Sequence, residues 1–239
     1  MTRATVEDAQ ARAAAVPSSW SSSLSYDPFL WWAERAGMAE RRRALLASAR
    51  GSVLELGAGT GLNLRHYPDE LDRLVLTEPG RHMARRLERR IDRLERRPEL
   101  VRAPVEALPF DDGVFDTVVS TLVLCTVEDP QRALAEIRRV VRPEGSLLFL
   151  EHVRSDDRRL ARWQDRLHRP WRSFAEGCNC NRPTLELLRR AGFEVSAAER
   201  ARWRRMPPIV RPLVSGRASP AAATPRRSWS AVNLDPSTA

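Results

Sequence analysis

Apolar residues fall along this chain in short runs, with longer stretches of helical spacing between them. Runs near 52–56, 73–77, 100–103, 115–121 and 145–151 have the length and β-branched content of buried strands, whereas 62–67, 80–97 and 130–141 read as helices. That alternation predicts an α/β fold built on a doubly wound, mostly parallel sheet. Pro143-Glu144-Gly145 marks the turn into the fifth run. Beyond 152 the pattern predicts an Arg-rich helix, a loop over 177–182, a helix over 184–191, a strand from Phe193 and a last strand near 209–215. Asp27-Pro28 predicts a helix start, the acid capping and the proline in the first helical position. Residues 1–25, rich in Ala, Ser and charge, are expected to form a flexible leader, 26–218 a single domain, and 219–239, which lack an apolar period, a disordered tail. No run approaches the roughly 18 residues that a spanning helix needs.

Composition adds two constraints. The net charge of +9 invites a nucleic-acid partner, yet all 40 basic residues are arginine and many sit at i, i+4 spacing from acids, as over Arg85–Glu95, which predicts a solvated helix instead. No RNA-recognition signature and no Asn-Pro-Pro-Tyr type clamp follows the fourth strand, so a small-molecule partner is expected and nucleic acid is not. The three cysteines, Cys125, Cys178 and Cys180, are an odd set with no secretory segment before them, which points to reduced thiols in a cytoplasmic protein. Cys178-Asn179-Cys180 has no second pair at zinc spacing, so no metal is expected.

The chemistry begins where the first run ends, in Val53-Leu54-Glu55-Leu56-Gly57-Ala58-Gly59-Thr60-Gly61. Glycine at every second position removes Cβ atoms where backbone must turn tightly against a ligand. A dinucleotide fingerprint would need glycine at 62, and the chain has Leu62. The pattern E-x-G-x-G-x-G resembles instead motif I of the class I S-adenosylmethionine-dependent methyltransferases, whose turn cradles the amino-acid end of the cofactor. The second run ends at Glu78-Pro79, 17 residues beyond Gly61. An acid there can accept both ribose hydroxyls, or it can simply cap the helix that follows. Ala103 to Asp116 is similar to the family segment that flanks the adenine; Pro104 replaces an acid common there, which turns attention to the backbone near Val105 and Glu106.

Further along, Val118–Val127, Glu151-His152-Val153, Gly177-Cys178-Asn179 and Arg211–Gly216 resemble the animal methyltransferase-like proteins that methylate alkyl thiols, and their bacterial relatives. The likeness runs from about Tyr26 to Ala218. It implies a Rossmann-like, seven-stranded sheet with an antiparallel edge, and S-adenosylmethionine held by Tyr26, Glu55, Gly57, Gly59, Gly61, Glu78, Pro79, Val105, Glu106 and Leu122. It also implies catalytic positions at His152 and Cys178. The animal proteins carry an N-terminal hydrophobic anchor, and this sequence is expected to lack one. Phe29-Leu30-Trp31-Trp32 near Arg41-Arg42-Arg43 can be read as a peripheral membrane patch or as a lid with its aromatic face inward.

Methyl transfer from a sulfonium needs acceptor, methyl and sulfur in line, and orientation of this kind supplies on the order of 7–11 kcal/mol. Ionising a thiol of pKa about 8.5 near neutral pH costs only about 1.4–2 kcal/mol, against about 4 kcal/mol for a phenol. A thiol acceptor can therefore dispense with a strong base. His152 ends the fifth strand, where open α/β sheets keep their crevice, and reads equally as a general base or as a residue that shapes the pocket. Glu151 and His152 point to opposite faces, so only one lines the crevice. His66, His82 and His168 read as surface residues. Cys178 lines an acceptor pocket or packs a loop, and Trp163, Trp171 and Phe174 wall that pocket or belong to the core. The expected activity is methylation of a small hydrophobic acceptor, foremost a thiol. A quinone, phenol or lipid-like acceptor attacked at carbon or oxygen is the alternative, and a non-catalytic cofactor-binding protein is a third reading. The sequence leaves the oligomeric state open.

Overall fold

The computed structural model describes residues 34–175 and 177–222. Seven strands form one sheet in the order β3-β2-β1-β4-β5-β7-β6. They are β1 (Ser52–Leu56), β2 (Arg73–Thr77), β3 (Glu99–Val101), β4 (Phe115–Thr121), β5 (Val141–His152), β6 (Phe193–Arg202) and β7 (Pro212–Pro220). The first five pair in parallel, and β7 runs antiparallel to both β5 and β6. The order reverses between β1 and β4, which opens a crevice at their C-terminal ends. One face carries Leu54, Leu56, Val118, Leu147 and Phe149 against α3 (Pro130–Val140) and α5 (Thr184–Arg190). The other carries Val53, Val119 and Leu148 against α1 (Ala39–Leu46), and Leu76 against Leu87 and Ile91 of α2 (Arg81–Ile91). α4 (Arg158–Phe174) follows β5.

Helix starts follow local chemistry. Asp129 accepts from Gln131 N and Arg132 N at 3.0 Å ahead of Pro130, and Asp157 accepts from Arg159 N and Leu160 N ahead of α4. The expected helix over 62–67 is instead a 3-10 turn, Leu64–His66. Asn63 and Tyr67 on its two sides are drawn inward to Glu55, and Pro68 follows. The helix expected to reach 97 stops at Ile91 and tightens into a turn in which Arg93 N and Leu94 N donate to the carbonyls of Arg90 and Ile91, and Pro98 disfavours helical geometry at Arg97 ahead of β3. The last strand begins later than 209, because Pro208–Val210 form a 3-10 turn that buries Ile209 and Val210. It also ends later: Ser219 pairs with Glu194 and Pro220 with Phe193, so the folded part passes the 218 boundary and the tail cannot start at 219. Pro143-Glu144-Gly145 lies within β5 as an irregularity, where pairing steps from Phe115↔Val141 to Thr117↔Ser146. The leader over 1–25, Tyr26, the Asp27-Pro28 helix start, Phe29–Trp32 and residues 223–239 lie outside the described residues.

Candidate active site

The three turn glycines all have positive φ, at 51° for Gly57, 55° for Gly59 and 80° for Gly61. Their surroundings differ. A Cβ on Gly57 would come within 2.9 Å of Val123, and one on Gly61 within 2.7 Å of Leu64 and Leu87, so these two are glycine for internal packing. A Cβ on Gly59 would meet nothing within 4 Å, so the middle glycine faces open space where backbone can meet a ligand. Directly above it, Glu78 Oε2 accepts from Gly59 N and Oε1 from Gly80 N, both at 2.8 Å. A carboxylate is an acceptor-only group with two oxygens, the chemistry that two adjacent hydroxyls call for. The cradle and the acid beside it fit an adenosyl cofactor.

Beneath the turn lies a buried polar network. Glu55, 1% exposed, accepts from Asn63 Nδ2 at 2.9 Å and Tyr67 OH at 2.8 Å. Asn63 Nδ2 also reaches Thr121 Oγ1 at 3.0 Å, and Arg42 Nη1 donates to Asn63 Oδ1 at 2.8 Å and to Thr121 Oγ1 at 3.0 Å. Arg42 Nε pairs with Glu34 at 3.0 Å. Burial raises the Glu55 carboxyl from 4.5 to about 7, opposed by the bonds from Tyr67 and Asn63. Arg42 is thus buried structure and not part of a membrane-facing patch with Arg41 and Arg43. Its charge is matched by Glu34, eight residues upstream, a partnership that no linear spacing announces.

Other expected contacts lie around the same rim. The Pro79 carbonyl accepts from Arg102 Nη2 at 3.1 Å. Val105 is buried in the main core, and Glu106 turns its carboxylate to the N–H of Glu128 and Asp129 while its carbonyl accepts from Arg132 Nε at 2.9 Å.

The β4 loop completes the crevice. Leu122 has φ 60°, one of two non-glycine residues with positive φ among those described. Glu151, fully buried, accepts from Ser120 Oγ at 2.6 Å and from the N–H of Val123, Leu124 and Cys125 at 3.0–3.2 Å. Burial raises its pKa despite those donors. Asn179 then ties the 177–179 loop to this turn, its N and Nδ2 both reaching the Cys125 carbonyl, while Arg182 donates to the Leu124 and Val127 carbonyls. Cys178 Sγ lies 3.9 Å from Cys125 Sγ, in a buried cluster with Leu150, Cys180, Trp203 and Met206. The segments Leu122–Val127, Glu151–Val153 and Gly177–Asn179, far apart in sequence, meet here.

Similarity to known proteins agrees with this architecture. A methyltransferase-domain family matches residues 54–149. Human thiol S-methyltransferase TMT1B is 36% identical over 180 residues, 72% of this chain and 72% of the relative, and human TMT1A is 32% identical over 191 residues, 75% and 78%. The chain belongs to the S-adenosylmethionine-dependent methyltransferases, in the family of these thiol S-methyltransferases. A methyltransferase from Thermotoga maritima shares the fold at TM-score 0.61 and 21% identity, covering 82% of this chain and 95% of its own. The YcgJ protein of Bacillus subtilis does so at 0.62 and 13%, covering 77% and 100%.

In this methyltransferase His152 is buried and stacks on Trp203, ring centroids 5.6 Å apart and 25° from parallel. Burial lowers its pKa to about 4, with the Pro212 and Val210 carbonyls acting the other way, and its Nδ1 has no hydrogen-bond partner among the described residues. The ring is neutral at neutral pH. Burial pushes the Cys180 thiol up to about 12, and the Cys178 neighbour together with burial pushes Cys125 up as well. His168 does not stand free on the surface, since its Nε2 lies 2.6 Å from Asn179 Oδ1. Trp171 packs at the edge of the cysteine cluster, while Trp163 and Phe174 are exposed among the described residues. Among the described residues no helix is long and apolar enough to cross a membrane, and no group of three or more His, Cys, Asp or Glu side chains could hold a metal.

Proposed function

We propose that this methyltransferase acts on a small hydrophobic thiol. The observation that carries the reading is His152: the ring at the end of β5 is held neutral by burial and is a weak base. Taking a proton from a thiol of pKa about 8.5 with a group near 4 would cost about 6 kcal/mol, whereas ionising the thiol to bulk water near pH 7 costs about 2 kcal/mol. A site with such a histidine suits an acceptor that brings its own thiolate. The relatives named thiol S-methyltransferases support the same acceptor class.

Bound S-adenosylmethionine supplies an electrophilic methyl on sulfonium. In this reading Gly57, Gly59 and Gly61 seat its amino-acid end, Glu78 accepts the ribose hydroxyls, Pro79 with the backbone at Val105 and Glu106 borders the adenine, and Leu122 closes the crevice. Tyr26 is carried only by the family resemblance as a further cofactor-binding residue. Glu55 acts on the turn through Asn63. Cys178 and His152 form the apolar wall against which the acceptor sulfur is oriented, with Nδ1 of His152 available as a hydrogen-bonding group. The enzyme is cytoplasmic in this reading, supported by three free buried cysteines, and does not act on nucleic acid.

The test is formation of S-adenosylhomocysteine by the purified protein over a panel of alkyl and aryl thiols, phenols and quinols. Turnover confined to thiols is expected. Turnover with a phenol or quinol and none with thiols would replace this reading with the oxygen- or carbon-directed one, and binding of S-adenosylmethionine without any turnover would favour a non-catalytic protein.

A further inference from the structure

The large apolar side chains left exposed among the described residues are Trp163 at 55%, Leu167 at 38% and Phe174 at 74%, and all three belong to α4. With Pro170 they stand at i, i+4, i+7 and i+11, a single stripe along the helix. The stripe is separate from the buried side, where Ala161 and Gln164 face the domain and Gln164 Nε2 reaches the carbonyls of Val153, Cys180 and Ile209 at 2.8–3.1 Å. That side chain fixes the helix roll, so the stripe is held outward by the fold. Beside it run Arg159, Arg162, Arg166 and Arg169, all exposed, with the Arg166 guanidinium 6.0 Å from the Trp163 ring centroid. The one acid within the helix, Asp165, is bound to Arg154 and Asn181. At the C-terminal end an open groove of about 690 Å³ is lined by His168, Arg169, Arg172, Ser173 and Gly177.

We propose that α4 is an interfacial helix that seats this enzyme on an anionic phospholipid surface. An aromatic and aliphatic stripe inserts to the level of the acyl boundary, and the arginine flank beside it meets lipid phosphates. The charge on the flank selects this occupant: an apolar ligand or a second copy would bring no compensating acid to these four arginines, because the opposing surface would be the same basic helix. Docking in this orientation also turns the Gly177–Asn179 loop, which directly follows α4, toward the membrane. The inference rests on α4 alone and is independent of the acceptor.

Co-sedimentation of the full-length protein with vesicles tests it, comparing phosphatidylcholine alone with vesicles in which about a third of the lipid is phosphatidylglycerol. Partition at least about tenfold stronger on the anionic vesicles is expected, weakening as salt rises. The Trp163→Ser/Phe174→Ser variant should lose about tenfold or more, and Arg162→Glu/Arg166→Glu should abolish the preference for anionic lipid, both with unchanged thermal transitions and cofactor binding. Equal binding to both vesicle types, no binding to either, or full binding by the Trp163→Ser/Phe174→Ser variant would overturn the proposal. So would a wild-type dimer in solution that this variant abolishes, which would assign the stripe to a second copy.

Discussion

The Glu78 carboxylate accepts the amide proton of Gly59 at 2.8 Å, so the acid that ends β2 and the middle glycine of the β1 turn form one unit. Removing either half should therefore damage cofactor binding, by different routes. Glu78→Ala deletes the acceptor proposed for the ribose hydroxyls and leaves two backbone N–H groups without it, and affinity for S-adenosylmethionine should fall by about 1.5–3 kcal/mol in calorimetry. Gly59→Val should lose more, because its Cβ enters the open space the ligand needs and φ of 55° is costly for a branched residue. Gly61→Val should instead fail by unfolding, since its Cβ collides with Leu64 and Leu87. A stable Gly59→Val protein with normal affinity would remove the turn from the site.

Glu151 should matter for stability before it matters for chemistry. Its carboxylate is the acceptor for three successive N–H groups and the Ser120 hydroxyl, and it holds the turn that keeps Leu122 in the left-handed region. Glu151→Ala strands these buried donors, at about 1 kcal/mol or more each, so a loss on the order of 3–5 kcal/mol is expected in urea unfolding. Hydrogen exchange at 122–126 should rise in the milder Glu151→Gln variant even where the global midpoint moves little.

Much of this arrangement was legible in sequence because parallel strands buried on both faces read as continuous apolar runs, and β1, β2 and β4 lie where those runs lie. Local chemistry was legible too, as at Asp129-Pro130 ahead of α3. The misses are tertiary. Asn63 and Tyr67 turn a would-be helix into a 3-10 turn because both side chains satisfy Glu55, and apolar spacing carries no record of that. Ile209 and Val210 read as strand because a buried 3-10 turn and a strand bury the same residues. The alternation of Glu151 and His152 correctly separated their faces. It did not reveal that the acid serves the neighbouring turn, or that the histidine stacks on Trp203 from a strand pair formed 50 residues later.

Stability of the unliganded protein should show two opposing pH dependences. Glu55 is raised from 4.5 to about 7 when folded, so the folded state binds more protons between those values and stability falls as pH rises through that window, by about 3 kcal/mol. His152 is lowered from 6.5 to about 4, so its contribution is intact above 6.5 and is lost as pH falls toward 4. These two slopes oppose each other in the native sequence. Glu55→Gln removes the first alone, and its stability relative to wild type should improve by about 3 kcal/mol between pH 4.5 and 7 in urea midpoints. A difference independent of pH would mean that Glu55 stays ionised when buried.

The rate of thiol methylation should follow the acceptor's own ionisation. Because His152 titrates near 4, it contributes no break to the pH–rate profile around neutrality, and the rate should rise with pH until the thiol's pKa is passed. Thiols of lower pKa should reach their plateau earlier. His152→Ala removes the ring stacked on Trp203 and with it the proposed pocket wall, so KM should rise several-fold for every thiol while the position of each pH rise stays with the thiol. A general base would behave otherwise: its loss would depress kcat most for high-pKa thiols and move the pH profile. Steady-state kinetics with three thiols spanning about two pKa units separate the two, and a pH break near 6.5 in the native enzyme that disappears in His152→Ala would restore His152 as the base.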